Sequence, residues 1–172
     1  MKRIMKIKNR LKRFFVYLII DSFALSFFCP DFLRRLILNF FGHQVLGIVH
    51  AQCFVGVGRG KLSIGRNSFI NYRCFLDLGN DITIGNNCSV GFGVTFINST
   101  HVIGPSEYRA GGGNSFSITI EDGCWIGANV TIMPGVTIKK GCIIGAGALV
   151  TKSTESNGLY IGCPAKRIQD LL

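Results

Sequence analysis

Ile126-Gly127-Ala128-Asn129-Val130-Thr131-Ile132-Met133-Pro134-Gly135-Val136-Thr137-Ile138 places an apolar residue at every sixth position, with a small or β-branched residue four places after it. The same spacing extends in both directions, through Ile64, Ile70 and Leu76, then Ile84, Val90 and Phe96, then Ile120 to Val150 by way of Ile144. The position four places after each apolar residue holds Ser68, Cys74, Asn80, Cys88, Val94, Thr100, Cys124, Val130, Val136, Cys142, Ala148 and Thr154, and Asn80 fits it poorly. No helix has a period of six and a plain strand has a period of two, so each hexad reads as a short strand closed by a tight turn. Three hexads make one coil whose flat sides enclose a triangular core. The expected fold is an all-β solenoid of parallel strands over residues 43–160.

Two interruptions break the phase. Two extra residues fall around Leu78 to Asp81, and a stretch without the hexad's apolar residues runs from Val102 to Ser117. The second contains Gly111, Gly112 and Gly113 and is about as long as a coil, so the register resumes after it. It reads as a loop extruded from a rigid scaffold over residues 102–117, the usual location of function.

The 172 residues suffice for one domain. With 48% apolar residues, 16% charged and 22 glycines lacking a G-X-Y period, the chain is neither disordered nor collagenous. The net charge of +10 is concentrated in Lys2, Arg3, Lys6, Lys8, Arg10, Lys12 and Arg13, with no acid among them. An apolar stretch over residues 14–28 follows. As a helix it would extend about 22 Å, short of the roughly 30 Å hydrocarbon core, and Asp21 interrupts it. The same interruption, and the lack of an A-x-A-like site, disfavour a signal peptide. A second helix is expected from Asp31 to Phe41, capped by Asp31 and ended by Gly42, with Phe32, Leu33, Leu36, Ile37, Phe40 and Phe41 on one stripe. Residues 1–42 thus form a basic and apolar helical segment. Either it packs on the domain or a neighbouring subunit, or it lies on an anionic membrane surface. Nucleic acid is disfavoured, because the basic tail has no aromatic interleaving and leads into an apolar helix.

Cys74, Cys88, Cys124 and Cys142 occupy the small inward position and read as core filling. Cys29, Cys53 and Cys163 have no acid or base at motif spacing, and an odd total of seven points to reduced thiols in the cytoplasm. His43, His50 and His101 have no metal-ligand spacing, so no metal is expected. His101 stands alone as a histidine at a coil corner beside a glycine-rich loop. Imidazole there suits a general acid or base near neutral pH.

The hexads Ile126 to Thr131 and Ile132 to Thr137, with the ending Ile161-Gly162-Cys163-Pro164-Ala165-Lys166, resemble the left-handed β-helix hexapeptide acyltransferases, most closely the galactoside and maltose O-acetyltransferase type. The resemblance covers about residues 48 to 170. It implies a left-handed coil, a short C-terminal tail helix over 161–172, and a homotrimer with grooves between subunits. It also implies His101 as catalytic base, in Ser99-Thr100-His101 with Trp125-Ile126-Gly127 downstream; Val102 departs from the proline common after the histidine. Glu107, Asp77 or a backbone carbonyl would orient the imidazole. Asn71 and Asp77 would meet the acceptor, and Trp125 would shape the site or pack on a neighbouring subunit. Ala128, Ala146, Thr151 and Lys152 would line the acetyl-CoA groove, with Lys166 and Arg167 near the nucleotide phosphates. The expected activity is acetyl-CoA-dependent O-acetylation of a sugar hydroxyl. The hydrophobic N-terminus points to a lipid-linked precursor of capsule, exopolysaccharide or O-antigen, at the inner face of the cytoplasmic membrane. N-acetylation of an amino sugar or xenobiotic, and a non-enzymatic β-helical scaffold, are the alternatives.

Overall fold

A computed structural model describes residues 14–171 apart from residue 57. Parallel strands of two or three residues form three faces. Face A runs Gln44–Val45, Leu62–Ile64, Ile82–Ile84, Ile118–Ile120, Thr137–Ile138; face B begins Ile48–Val49, Phe69–Ile70, Ser89–Val90, Trp125–Ile126, Ile143–Ile144. Face C runs Phe54–Val55, Phe75–Leu76, Thr95–Phe96, Thr131–Ile132, Leu149–Val150. Successive strands of the chain visit A, B and C in turn, which is the solenoid. Ile120 pairs with Ile138 and Ile126 with Ile144, a step of eighteen residues. Ile64 pairs with Ile84, a step of twenty, which is where the two extra residues are absorbed. Ile84 pairs with Ile120, two coil lengths on, so the intervening extrusion leaves the register intact.

All twelve apolar hexad positions are at most 2% exposed. Of the smaller inward positions, Asn80 is half-buried and Thr100 exposed. Leu78 turns inward ahead of Asn80, and Thr100 belongs to the extrusion, after which Ile118 re-enters the core. The inward cysteines fill the core and also bind it together. The Sγ of Cys74, Cys88, Cys124 and Cys142 donate to the carbonyls of Gly91, Glu121, Lys139 and Glu155 in the next coil, at 3.0 to 3.2 Å. Cys53 joins the same pattern through Asn71 O at 3.1 Å. Contact with Cys88, followed by burial, pushes the Cys124 thiol up, and Cys53 and burial do the same for Cys74, so both are protonated donors rather than nucleophiles.

Ten corners that border face B place a residue in the left-handed region. Between faces A and B these are Asn67, Asn87, Gly123, Gly141 and Asn157; between B and C they are Gln52, Arg73, Gly93, Asn129 and Gly147. Asn and Gly tolerate that conformation best.

The N-terminal segment caps the open end of the solenoid. A π-helical stretch, Leu18–Ala24, is followed by an α-helix, Asp31–Phe40, and Ile20, Leu25 and Leu38 enter the core. Asp31 does not cap the helix, because Pro30 holds the N-cap place and the Asp31 carboxylate bonds Arg34 instead. Gly42 ends the helix at φ +92°. Arg34 is 2% exposed and donates to the carbonyls of Ala24 (2.6 Å), Val49 (2.7 Å), Ser26 (3.0 Å) and Cys29 (2.6 Å), tying both helical pieces to the first coil. Asn39 adds a reciprocal pair with the Val45 backbone. The inner side of the cap therefore packs on the domain, while its outer side leaves Phe14, Phe28, Phe32 and Phe40 exposed.

Below the cap, His43 Nδ1 accepts the Leu62 N–H at 3.1 Å, and burial and then the charge of Lys61 hold its pKa below the ordinary 6.5. Only neutral imidazole can accept that bond. The unfolded chain protonates first as pH falls, so this contribution is intact above the ordinary histidine value and is lost as pH drops through the lower folded one. Urea midpoints should fall between pH 7.5 and pH 5, and His43→Gln, whose amide oxygen can accept the same N–H, should fall less. An equal fall in both proteins would remove His43 as the cause.

The expected tail helix over 161–172 is not formed. Gly158–Ile161 adds to face B and Lys166–Asp170 returns antiparallel to it. Gly162 at φ +96° and the cis Cys163–Pro164 bond lie in the turn that reverses the chain, and the returning strand satisfies its backbone on the open edge of face B.

Candidate active site

The extrusion is an antiparallel hairpin rather than an irregular loop, and it begins earlier than residue 102: Ser99–Ile103 pairs with Ala110–Ser115. Asn98, fully buried, closes its base. Its side chain bonds the Asn80 backbone at both N–H and C=O, and its carbonyl accepts the Phe116 N–H at 2.9 Å. His101 sits in the first strand opposite Gly113, exposed to solvent. Its Nδ1 lies 3.0 Å from the Gly111 carbonyl oxygen, which can only accept. That contact places the proton on Nδ1 and leaves the Nε2 lone pair outward.

Of the three groups expected to orient the imidazole, the structure therefore selects a backbone carbonyl. Glu107 instead bonds Ser106 Oγ at 2.7 Å. Both oxygens of Asp77 take backbone donors, Ser99 N–H at 2.9 Å and Gly79 N–H at 3.2 Å, so Asp77 fixes the corner from which the hairpin springs.

The remaining residues divide between two corners. Gly56, Asp77, Ile97, Met133 and Thr151 stack at the corner between faces C and A, joined by backbone bonds from coil to coil. His101 and Lys152 belong to that side. His50, Asn71, Gly91, Gly127 and Gly145 stack at the corner between B and C, with Ala128 and Ala146 in the following positions. Trp125 projects from face B, 58% exposed. Asn71, Ala128 and Ala146 thus lie at one edge of the prism, Trp125 on face B, and His101, Asp77, Thr151 and Lys152 at another edge, so one chain does not bring the full set together.

The side chains suit a CoA thioester. Ala128 and Ala146 keep the B/C corner low enough for an extended pantetheine arm to approach the backbone, and Lys152 and Lys166 are exposed cations with no partner among the described residues. Arg167 is engaged elsewhere. Its guanidinium binds Asp170 and the carbonyls of Ser156 and Asn157, holding the terminal hairpin. Among the described residues no cluster of His, Cys, Asp or Glu could hold a metal ion. The hexad period had not singled out Arg73, Tyr72 and Phe92, which share a concavity with Asn71. Arg73 carried a signal nevertheless, as a long side chain at a corner position where Asn or Gly is the rule.

The profile of the bacterial transferase hexapeptide family (six repeats) matches residues 117–152. The galactoside O-acetyltransferase of Escherichia coli K12 is 36% identical over 111 residues, 64% of this chain and 55% of that one. The chain spans about half the length of the curated relatives it matches. Among solved structures, a maltose O-acetyltransferase from Clostridium difficile 630 superposes with a TM-score of 0.77 at 27% identity, over 93% of this chain and 86% of that one. A hexapeptide-repeat acetyltransferase from Vibrio cholerae, complexed with acetyl-CoA, does so with a TM-score of 0.79 at 25% identity, over 95% and 87%. Residues 117–152 carry the bacterial transferase hexapeptide repeat, and the chain is similar in sequence and in its β-helix fold to galactoside and maltose O-acetyltransferases.

Proposed function

We propose that the protein transfers an acetyl group from acetyl-CoA to a hydroxyl of a saccharide, with His101 as general base. The observation that carries this reading is the bond from His101 Nδ1 to the Gly111 carbonyl, which fixes an outward Nε2 lone pair on a scaffold shared with acetyltransferases. Nε2 takes the hydroxyl proton as the oxygen attacks the thioester carbonyl. The C–O bond forms, the C–S bond breaks, and the imidazolium returns its proton to the leaving thiolate. No covalent enzyme intermediate is needed. Transfer from labelled acetyl-CoA, scored by mass, tests the reaction; a base-labile product is an ester, and a base-stable one would mean an amide and replace the O-acetyl reading by N-acetylation.

A homotrimer would unite the two corners. Face A presents a polar outer ladder, Gln44, Ser63, Thr83, Thr119 and Thr137, suited to water. Face B presents Ile48, Phe69, Ser89, Trp125 and Ile143, and face C presents Phe54, Phe75, Thr95, Thr131 and Leu149. Burying apolar side chains of these faces against neighbouring chains would set corners of different chains side by side. The expected solution mass is three times 18.8 kDa. Mixing His101→Ala with Asn71→Ala chains should restore part of the activity that each lacks alone, and a monomeric mass with full activity would refute shared sites.

The exposed aromatics of the cap, Phe28 at 94% and Phe40 at 84% above all, adjoin in sequence the seven cations of residues 2–13. That pairing fits the anionic inner leaflet of a cytoplasmic membrane and a lipid-linked acceptor of surface-polysaccharide synthesis. No helix among the described residues is long and apolar enough to cross. Full-length protein should float with anionic vesicles, and Phe28→Asp with Phe40→Asp should abolish flotation without lowering Tm. Retention equal to wild type would sink the membrane role. Deleting residues 1–42 is a poor substitute test, because Ile20, Leu25 and Leu38 belong to the core.

A further inference from the structure

At the B/C corner, beneath the cap, a concavity of about 500 Å³ is lined by Phe27, Gln52, Asn71, Tyr72, Arg73 and Phe92. Its walls are aromatic. His50 stacks on Tyr72 with ring centroids 4.8 Å apart and planes 14° from parallel, and Phe27 of the cap stands 6.0 Å from the same ring. Tyr72 is 41% exposed and Phe92 53%, surfaces that can receive the apolar face of a pyranose ring. The polar groups are mostly free donors. Asn71 Oδ1 accepts the Tyr72 N–H at 2.8 Å, leaving Nδ2 to donate. Arg73 Nε donates to Gln52 Oε1 at 3.1 Å, which orients the guanidinium while its two terminal nitrogens have no partner among the described residues. No carboxylate lines the concavity.

Backbone conformation singles out the same two residues. Ten corner positions between faces A and B or B and C are left-handed, and eight hold Asn or Gly; the exceptions are Gln52 (φ 60°) and Arg73 (φ 59°). Long side chains are disfavoured there, and strain tolerated at adjacent positions that hydrogen-bond each other and share a concavity suggests a use for those side chains.

We infer that this corner binds a saccharide bearing an anionic group, a carboxylate or a phosphate, with its ring on Tyr72 and Phe92 and the anion on Arg73. The planar guanidinium offers either oxyanion two parallel donors, and it keeps its charge at any working pH. This deepens the proposed acetyl transfer and rests on that reading only in making the bound saccharide the acceptor.

Calorimetric titration of the full-length protein tests it, with methyl β-glucuronide, glucose 1-phosphate and methyl β-glucoside as probes. At least one anionic probe should bind about tenfold tighter than the neutral glucoside, and which one does so identifies carboxylate or phosphate as the natural anion. In Arg73→Asn that preference should disappear, while Tm holds or rises by about 2–4 °C because Asn suits the left-handed turn. Arg73→Lys should keep part of the preference. Equal binding of all three probes, or a preference that survives Arg73→Asn, would overturn the inference. The two readings fail separately. Transfer to neutral glycosides that Arg73→Asn leaves unchanged removes the anion site and keeps the transferase. An Arg73-dependent preference without transfer to any saccharide keeps the site and removes the transferase.

Discussion

His101→Gln is expected to lower kcat for acetyl transfer by about 10²–10⁴-fold, the range set by loss of a positioned base, with little change in Tm. The small structural effect follows from the location. His101 is exposed on a hairpin that projects from the solenoid, and its one bond is to the Gly111 carbonyl of the facing strand. Gln retains a donor for that carbonyl but has no lone pair basic enough to accept a proton from a hydroxyl. Acceptor affinity should therefore persist while turnover is lost, a kcat effect without a matching KM effect. Turnover within a few-fold of wild type would remove His101 from the chemistry and return the function of the hairpin to open question.

The solenoid was legible because its period, six, belongs to no other backbone geometry, and because one inward residue per hexad is enough to specify a strand and its corner. The extrusion was legible as a loss of that period. Its internal pairing was not: Ser99 to Ile103 and Ala110 to Ser115 carry too few alternating apolar residues to announce a ribbon, and backbone bonds rather than side-chain burial hold them together. The tail was misread for a related reason. Lys166 to Asp170 has no strong strand pattern and becomes one because an open sheet edge lies beside it. Local pattern also assigned Asp31 to a cap, whereas a buried arginine three residues on competes for its carboxylate. For the candidate site, the residue types were readable and their separation was not put to use. Counting hexads alone places Asn71 and His101 at different corners, and that separation is the reason the proposed mechanism calls on an assembly of chains.

Arg34→Met is expected to destabilise the fold by about 3–5 kcal/mol, the cost of removing one partner from a buried charged network. For a chain of this size that lowers Tm by roughly 10 °C. Of the four carbonyls that Arg34 now satisfies, those of Ala24, Cys29 and Val49 would be left without donors beneath the cap, and that of Ser26 would keep only the Cys29 N–H at 3.4 Å. Methionine fills a similar length and supplies none of them. Arg34→Lys should recover only a minor part, since a single ammonium cannot reach four acceptors spread around a planar fork. Asp31 separates the two sources of stability. Its side chain is 45% exposed, so its ion pair with Arg34 is worth at most about 1 kcal/mol, and Asp31→Asn should be nearly silent. If Asp31→Asn cost as much as Arg34→Met, the ion pair rather than the carbonyl network would be what fastens the cap. With the network lost, protease cleavage should begin within residues 14–42 while the coils beyond Leu62 stay protected. The arginine would then be the joint through which the exposed aromatic surface of the cap is held rigidly to the corner that carries Asn71.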